Sequence, residues 1–187
     1  VGYEKDGFLH YLDLGLYYSS IKRFTKMGIS NSLNNVDLKS LKEPNLGKNG
    51  LITDYVKQGQ LILVQISKEP ISTKGPRLSA EISFAGRFLV LVPFSNKVSI
   101  SQKIKNSEER NRLKRLIQSI RPEGFGIIIR TVAEGQSVAD LDNDLRDLMS
   151  KWDELIKKLP KSLPPCKMIS EMDKSSVIIR DMLTEEF

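Results

Sequence analysis

The stretch Gly124-Phe-Gly-Ile-Ile-Ile-Arg-Thr131, with the run from Ser137 to Pro160 that follows it, decides the fold. Consecutive isoleucines make a run of strand length that is apolar throughout, the pattern of a buried strand, and it ends in two polar residues. Val132 to Gln136 reads as a loop. Ser137 and Asp140 then have capping-box spacing, in which a hydroxyl accepts from the backbone three residues on and a carboxylate reaches back. Val138, Leu141, Leu145, Leu148, Trp152, Leu155 and Leu159 step by threes and fours, the stripe of a long amphipathic helix. Pro160 ends it, because proline has no N–H for the helical ladder.

Working upstream, Leu113, Leu116, Ile117 and Ile120 fall at i, i+3, i+4 and i+7, which predicts a helix from Ser107, its candidate cap, to the stop at Pro122. Val98 and Ile100 alternate with Ser99 and Ser101 as a strand. Ile82, Phe84 and Phe88 to Val92 suggest another strand with Gly86 at a bend. Before these, Lys68 to Arg77 is a basic loop punctuated by Gly and Pro, and the composition shift after it places a domain boundary near residue 79. Leu61-Ile-Leu-Val-Gln-Ile66 is predicted to be a strand buried on both faces. Residues 28 to 50 turn to Asn, Ser, Lys and Gly, a long insertion expected to be mobile with at most one helical turn. Asp13 is a candidate cap for a helix carrying Leu14, Tyr17, Tyr18 and Ile21, and Phe8 to Tyr11 reads as a short aromatic strand. Val1 to Gly7 reads as a strand end entering an Asp-Gly turn, so the chain is expected to start inside a domain. At the other end, a helix is expected from about 174 to 186. The order, mostly β and then mixed, makes the class α+β, an all-β module followed by an α+β module.

The chain has 187 residues, 40% hydrophobic and 28% charged, enough to bury a core. Its longest apolar runs are far shorter than the roughly 20 residues of a spanning helix, so no membrane association is expected. A lone cysteine, Cys166, forbids an intrachain disulfide and any cysteine-built zinc site, which fits a reducing cytoplasm. The net charge of +6 favours a polyanionic partner such as nucleic acid.

Four groups of residues carry possible chemistry. Arg130 and Thr131 stand where a strand leaves the core, a place suited to an anion, since a guanidinium grips phosphate through two parallel hydrogen bonds and Thr adds a hydroxyl. The alternative is a surface arginine paired with an acid such as Glu134. Phe8, Tyr11, Tyr17 and Tyr18 interleave with Lys5, Lys22 and Arg23, as single-stranded nucleic acid requires for stacking and phosphate contact, or else two of the rings fill a core. Lys68, Lys74 and Arg77 flank Gly75 on a loop that can follow a phosphate backbone, or is simply solvated. Asp140, Asp142, Asp144 and Asp147 resemble a metal cluster at first, but 140, 144 and 147 fall opposite the Leu and Trp stripe and read as a solvated acidic face. His10 has no second histidine, and neither a P-loop nor a dinucleotide fingerprint is present. No catalytic constellation emerges.

Several segments, in order, resemble the ribonuclease E/G family: Asp6-Gly-Phe-Leu9, Gly59 to Ile66, Lys68 to Leu78, Glu81 to Pro93, Val98 to Ile104, and Gly126-Ile-Ile-Ile-Arg-Thr-Val-Ala-Glu-Gly135. The resemblance implies a partial S1-like OB-fold over 1–79 lacking its first strands, with 28–50 inserted. It further implies a 5′-sensor domain over 80–174 and the start of a ribonuclease H-like subdomain over 175–187. The implied function is the RNA-binding portion of a cytoplasmic endoribonuclease that hydrolyses single-stranded RNA, prefers a 5′-monophosphate and is a homo-oligomer at full length. Its Mg²⁺-binding catalytic aspartates would lie outside this chain, so the chain itself is expected to bind no Mg²⁺ and to be inactive. By motif match, Arg130, Thr131, Gly86 and Val90 would hold the 5′-phosphate, and Phe8, Tyr18, Lys68 and Lys74 the RNA strand. The rival readings are a stand-alone, non-catalytic RNA-binding module, and a scaffold that pairs through Leu145, Leu148 and Trp152.

Overall fold

The structure, a computed structural model, describes residues 1–33 and 37–170. A 3₁₀ turn at Tyr11–Leu14 opens the regular structure, capped by the His10 side chain, which accepts from the Leu12 N–H. Asp13 lies inside this turn and caps nothing; its carboxylate binds Arg77 instead. Gly15, at φ 75°, breaks the chain away, and the first helix, α1 (Tyr18–Ile29), starts only after it. A Cβ at Gly15 would also meet the Glu81 side chain at 2.7 Å, so both backbone and packing require glycine there. A 3₁₀ turn at Leu38–Leu41 is the one helical turn between 37 and 50, and α2 (Ile52–Tyr55) is a single turn.

The apolar run at 61–66 departs from expectation. Strand β1 (Gln65–Lys68) begins only at its end and, among the described residues, pairs with β2 (Arg77–Ser79) alone, while Ile62, Leu63 and Val64 are half-buried without strand structure. Without a neighbouring strand to take its N–H and C=O groups, an apolar run does not become sheet.

From residue 84 the local patterns are realised closely. Strands β3 (Phe84–Ala85), β4 (Leu89–Pro93), β5 (Val98–Ile100) and β6 (Phe125–Ile129) form one sheet in the order β3-β4-β6-β5. β4 is antiparallel to β6, whereas β5 is parallel to it, the connection running through helix α3 (Ser107–Ile120). Asn106 rather than Ser107 caps α3, its side chain accepting from the N–H groups of Glu108 and Glu109. Helix α4 (Val138–Lys158) starts at the Ser137/Asp140 capping box.

Among the described residues, helices cover one face of the sheet only. Leu89, Leu91, Ile127 and Ile129 point into the core, but Ile128 is 43% exposed, so β6 is not buried on both faces. The core centres on Trp152, which stacks on Phe24 at 4.9 Å and meets Phe84, Phe94 and Phe125 edge-on. Phe24 belongs to α1, and Ile21, Leu33, Leu38 and Leu41 join the same cluster. α1, Leu33 and the turn at Leu38–Leu41, all before the composition shift at 79, therefore share the core of the sheet beyond it. The contact is tight: Gly28 lies against Leu159 with no room for a Cβ. The architecture is α+β, with a two-stranded and a four-stranded sheet among the described residues. The helix expected at about 174–186 and the segment assigned to a ribonuclease H-like start, 175–187, lie outside the described residues.

Candidate functional site

β6 ends at Ile129, and the next two residues sit where the sheet meets a loop from β4. The Arg130 main-chain N–H donates to the Phe88 carbonyl at 2.8 Å. Its guanidinium Nη1 donates to the carbonyls of Gly86 at 2.7 Å and Arg87 at 2.9 Å. Thr131 opens a 3₁₀ turn (Thr131–Ala133), and its hydroxyl shares a 2.8 Å hydrogen bond with Ser101 at the end of β5. Val90 pairs in register with Ile128, one strand over and on the open face of the sheet. Four residues that the sequence separates by as much as 45 positions thus lie on or just beyond β4 and β6, the two inner strands of the sheet, with Arg130 and Gly86 in direct contact.

The acidic face of α4 divides into distinct roles. Asp140 completes the capping box, Asp142 pairs with Arg146 at 2.7 Å, and Asp147 is exposed. Asp144 is no solvated acid. Its carboxylate accepts the N–H groups of Arg87, Phe88 and Leu89 at 2.8–2.9 Å, tying the β3–β4 loop to the helix. The reading that put it opposite the leucine stripe is corrected: Asp144 stands three residues after Leu141 and four before Leu148, so it flanks the stripe on the side that meets the sheet. Among the described residues no three His, Cys, Asp or Glu side chains converge as a metal ion would require.

The loop after Thr131 is held from α3. Glu109 accepts from Arg112 through Nε at 2.6 Å and Nη2 at 2.7 Å, and from the Gly135 N–H at 2.9 Å. Arg112 in turn donates to the Gln136 carbonyl. The Arg112 guanidinium and the Gly135 N–H hold the Glu109 carboxyl down at about 2, from its ordinary 4.5. This clamp is a pair that sequence reading missed, although its i, i+3 spacing on a helix was visible.

The second candidate surface lies on the small sheet. The Phe8 N–H donates to the Pro76 carbonyl and the Leu78 N–H to the Phe8 carbonyl, which sets Phe8 beside Arg77; Lys68 stands across from Arg77 on β1. Phe8 is 59% exposed. Lys74 is exposed on the turn above, and Gly75 passes so close to the Asp6 carbonyl that no side chain fits. Arg77 is engaged by Asp13 through two hydrogen bonds. Tyr18 is not on this surface. It is 1% exposed, packed with Leu14, Leu46 and Ala80, and its hydroxyl accepts from Gln60. A ring without an open face cannot stack on a base, so the strand-binding role expected of Tyr18 is corrected. Tyr17 likewise turns inward, bonded to Ser95, while Lys22 and Arg23 bind the Tyr55 carbonyl and Glu43. The alternation of aromatic and basic residues there reflects an amphipathic helix with a buried face. The stripe of Leu145, Leu148 and Trp152 is also covered, at 4%, 1% and 4% exposure, by the chain's own sheet and by α1. No helix of the described residues is long and apolar enough to cross a membrane.

The chain is 37% identical to a protein named Ribonuclease E from Nostoc sp. over 131 residues, 70% of this chain and 19% of that protein. It is 34% identical to Ribonuclease G from Haemophilus influenzae over 183 residues, 98% of this chain and 34% of that protein. It is also 34% identical to Ribonuclease G from Escherichia coli over 135 residues, 72% of this chain and 28% of that protein. The chain thus spans between about a fifth and a third of the length of the curated relatives it matches. Residues 83–187, which carry Gly86, Asp144, Arg130 and Thr131, match the family model described as Ribonuclease E/G family, and with these relatives they show that the chain belongs to that family.

Proposed function

We propose that this chain is the RNA-binding part of an endoribonuclease that hydrolyses single-stranded RNA and engages a 5′-monophosphate, in RNA processing and decay in the cytoplasm. In this reading residues 1–79 act as a partial S1-like OB-fold with an insertion at 28–50, residues 80–174 as a 5′ sensor, and 175–187 as the start of a ribonuclease H-like subdomain. The observation that carries it is the placement of Arg130 and Thr131 at a strand exit, the guanidinium fixed on two loop carbonyls and the hydroxyl on Ser101. A terminal phosphate offers several oxygens to such donors, whereas a 5′-hydroxyl offers no charge for the guanidinium to meet. Phe8 supplies a stacking face and Lys68 and Lys74 supply charge for the strand, so binding at one surface raises the effective concentration of the RNA at the other.

The resemblance also implies Mg²⁺ for hydrolysis. The described residues do not fit it, since no donor set converges among them, and no catalytic step is assigned to this chain. Catalysis and homo-oligomerisation belong, in this reading, to the longer protein.

Fluorescence anisotropy with one short RNA, bearing a 5′-monophosphate or a 5′-hydroxyl, tests the reading across a salt series. Tighter binding of the monophosphate, lost in Arg130→Ala and weakened in Thr131→Val, is the expected result. Equal affinity for the two ends would withdraw 5′-end recognition and leave general RNA binding.

A further inference from the structure

The loop between β3 and β4 is held from both sides in an ordered way. Three successive peptide groups, 86–87, 87–88 and 88–89, each present an N–H to Asp144 and a carbonyl to Arg130. The N–H groups of Arg87, Phe88 and Leu89 all donate to the Asp144 carboxylate. The carbonyls of Gly86 and Arg87 accept from the Arg130 guanidinium, and that of Phe88 accepts from the Arg130 N–H. The three peptide dipoles therefore run in one sense, positive ends on a carboxylate and negative ends on arginine. Gly86 makes the approach possible, because a Cβ there would meet the Asp144 carboxylate at 2.5 Å.

We propose that Asp144 is a positioning residue for the anion site at Arg130: by orienting three peptide groups from beneath, it fixes the carbonyls that set the plane of the guanidinium. The inference rests on the 5′-monophosphate reading of that site and deepens it. The Asp144 carboxylate meets its three donors with two acceptor oxygens, whereas an amide of the same size has one acceptor oxygen, with lone pairs for two donors and none for the third. The side chain introduced by Asp144→Asn would retain one acceptor oxygen and turn an NH₂ group toward N–H donors. A peptide left without its partner is free to rotate, and the carbonyl it carries leaves the guanidinium with it. Gly86 is then a glycine for a reason the strand pattern alone could not supply: it admits a carboxylate from the opposite layer.

Two measurements on the full chain decide the matter. The first needs no RNA: hydrogen exchange of the Arg130 guanidinium by nitrogen-resolved NMR, in the wild type and in D144N, with the amides of Ile127 and Ile129 as the reference for global opening. Loss of Arg130 protection with the reference amides unchanged supports the proposal, and retained protection overturns it. The second is the ratio of affinities for 5′-hydroxyl and 5′-monophosphate RNA. D144N is expected to bind the hydroxyl form as the wild type does and to lose about tenfold of the discrimination. A parallel loss for both RNAs would mean a merely structural role and overturn the proposal. If D144N does not fold, G86A gives the same readouts by displacing the carboxylate, and G86A/D144A is expected to be no worse than D144A because the collision is gone. G86A that keeps wild-type protection and discrimination would overturn the proposal. A wild type that does not discriminate between the two ends would remove the functional reading, while the exchange experiment would still decide whether Asp144 positions Arg130.

Discussion

The four-stranded sheet and the β1–β2 pair are each approached by an apolar run, Ile127 to Ile129 in one and Leu61 to Val64 in the other. Only the first is hydrogen-bonded on both sides, between β4 and β5, and sealed by helices. The second leaves Leu61 exposed and Ile62 to Val64 half-buried, without strand partners among the described residues, and β1 begins where it ends. An apolar run declares that something will cover it; whether the cover is a sheet neighbour or a stray side chain is settled by segments far away in sequence. Leu63 packs on the large core without entering its sheet.

The sharpest test of the sealed side of this contrast is at Trp152, where the four-stranded sheet meets α1. Trp152→Ala removes the ring that Phe24 stacks on and that Phe84, Phe94 and Phe125 meet edge-on. It is expected to cost about 3–5 kcal/mol in urea unfolding followed by circular dichroism. A loss below about 1 kcal/mol would mean that α1 is not part of that core.

The next effect separates binding from stability. Phe8 is 59% exposed, so Phe8→Ala is expected to leave the unfolding midpoint unchanged. Its affinity for single-stranded RNA should fall by about 1–3 kcal/mol. Unchanged RNA affinity would take the small sheet out of the proposed interface.

The smallest effect is electrostatic and confined to the larger sheet's side. Glu109 is depressed in the folded chain to about 2 from an ordinary 4.5, so its stabilising contribution is complete above 4.5 and is lost as pH falls toward 2. Its side chain is mostly buried, at 15% exposure, and the contribution is on the order of 1–2 kcal/mol. Urea midpoints measured down that window should drop for the wild type and drop less for Glu109→Gln. Parallel curves for the two would show that the clamp on Gly135 adds nothing.

Legibility in the sequence followed the range of the interaction. α3, α4 and the alternating strand β5 were readable because a helix stripe and a strand alternation are written within a dozen residues. The capping box was readable for the same reason. Asp144 differs from Asp147 locally, standing three residues after Leu141 and four before Leu148 on the flank of the stripe, but the loop it holds lies 55 to 57 residues earlier and no local pattern names it. The Arg130 and Thr131 pair was visible as chemistry at a strand end, but its partners were not, since Gly86 and Arg87 contribute carbonyls that no side-chain pattern encodes. Tyr18 misled because a ring next to basic residues looks the same in sequence whether it faces solvent or sits in a core.

The contact of α1 with Leu159 and Trp152 bears on how such proteins can be recombined. Joining residues 80 onward to the front part of a distant relative would import a helix with a foreign pattern opposite Trp152 and a foreign side chain opposite Leu159, where Gly28 leaves no space. The smallest stretch that can be exchanged between relatives without loss of that seam therefore begins ahead of Tyr18. Inheritance should keep Gly28 and the α4 terminus together, although more than a hundred residues lie between them.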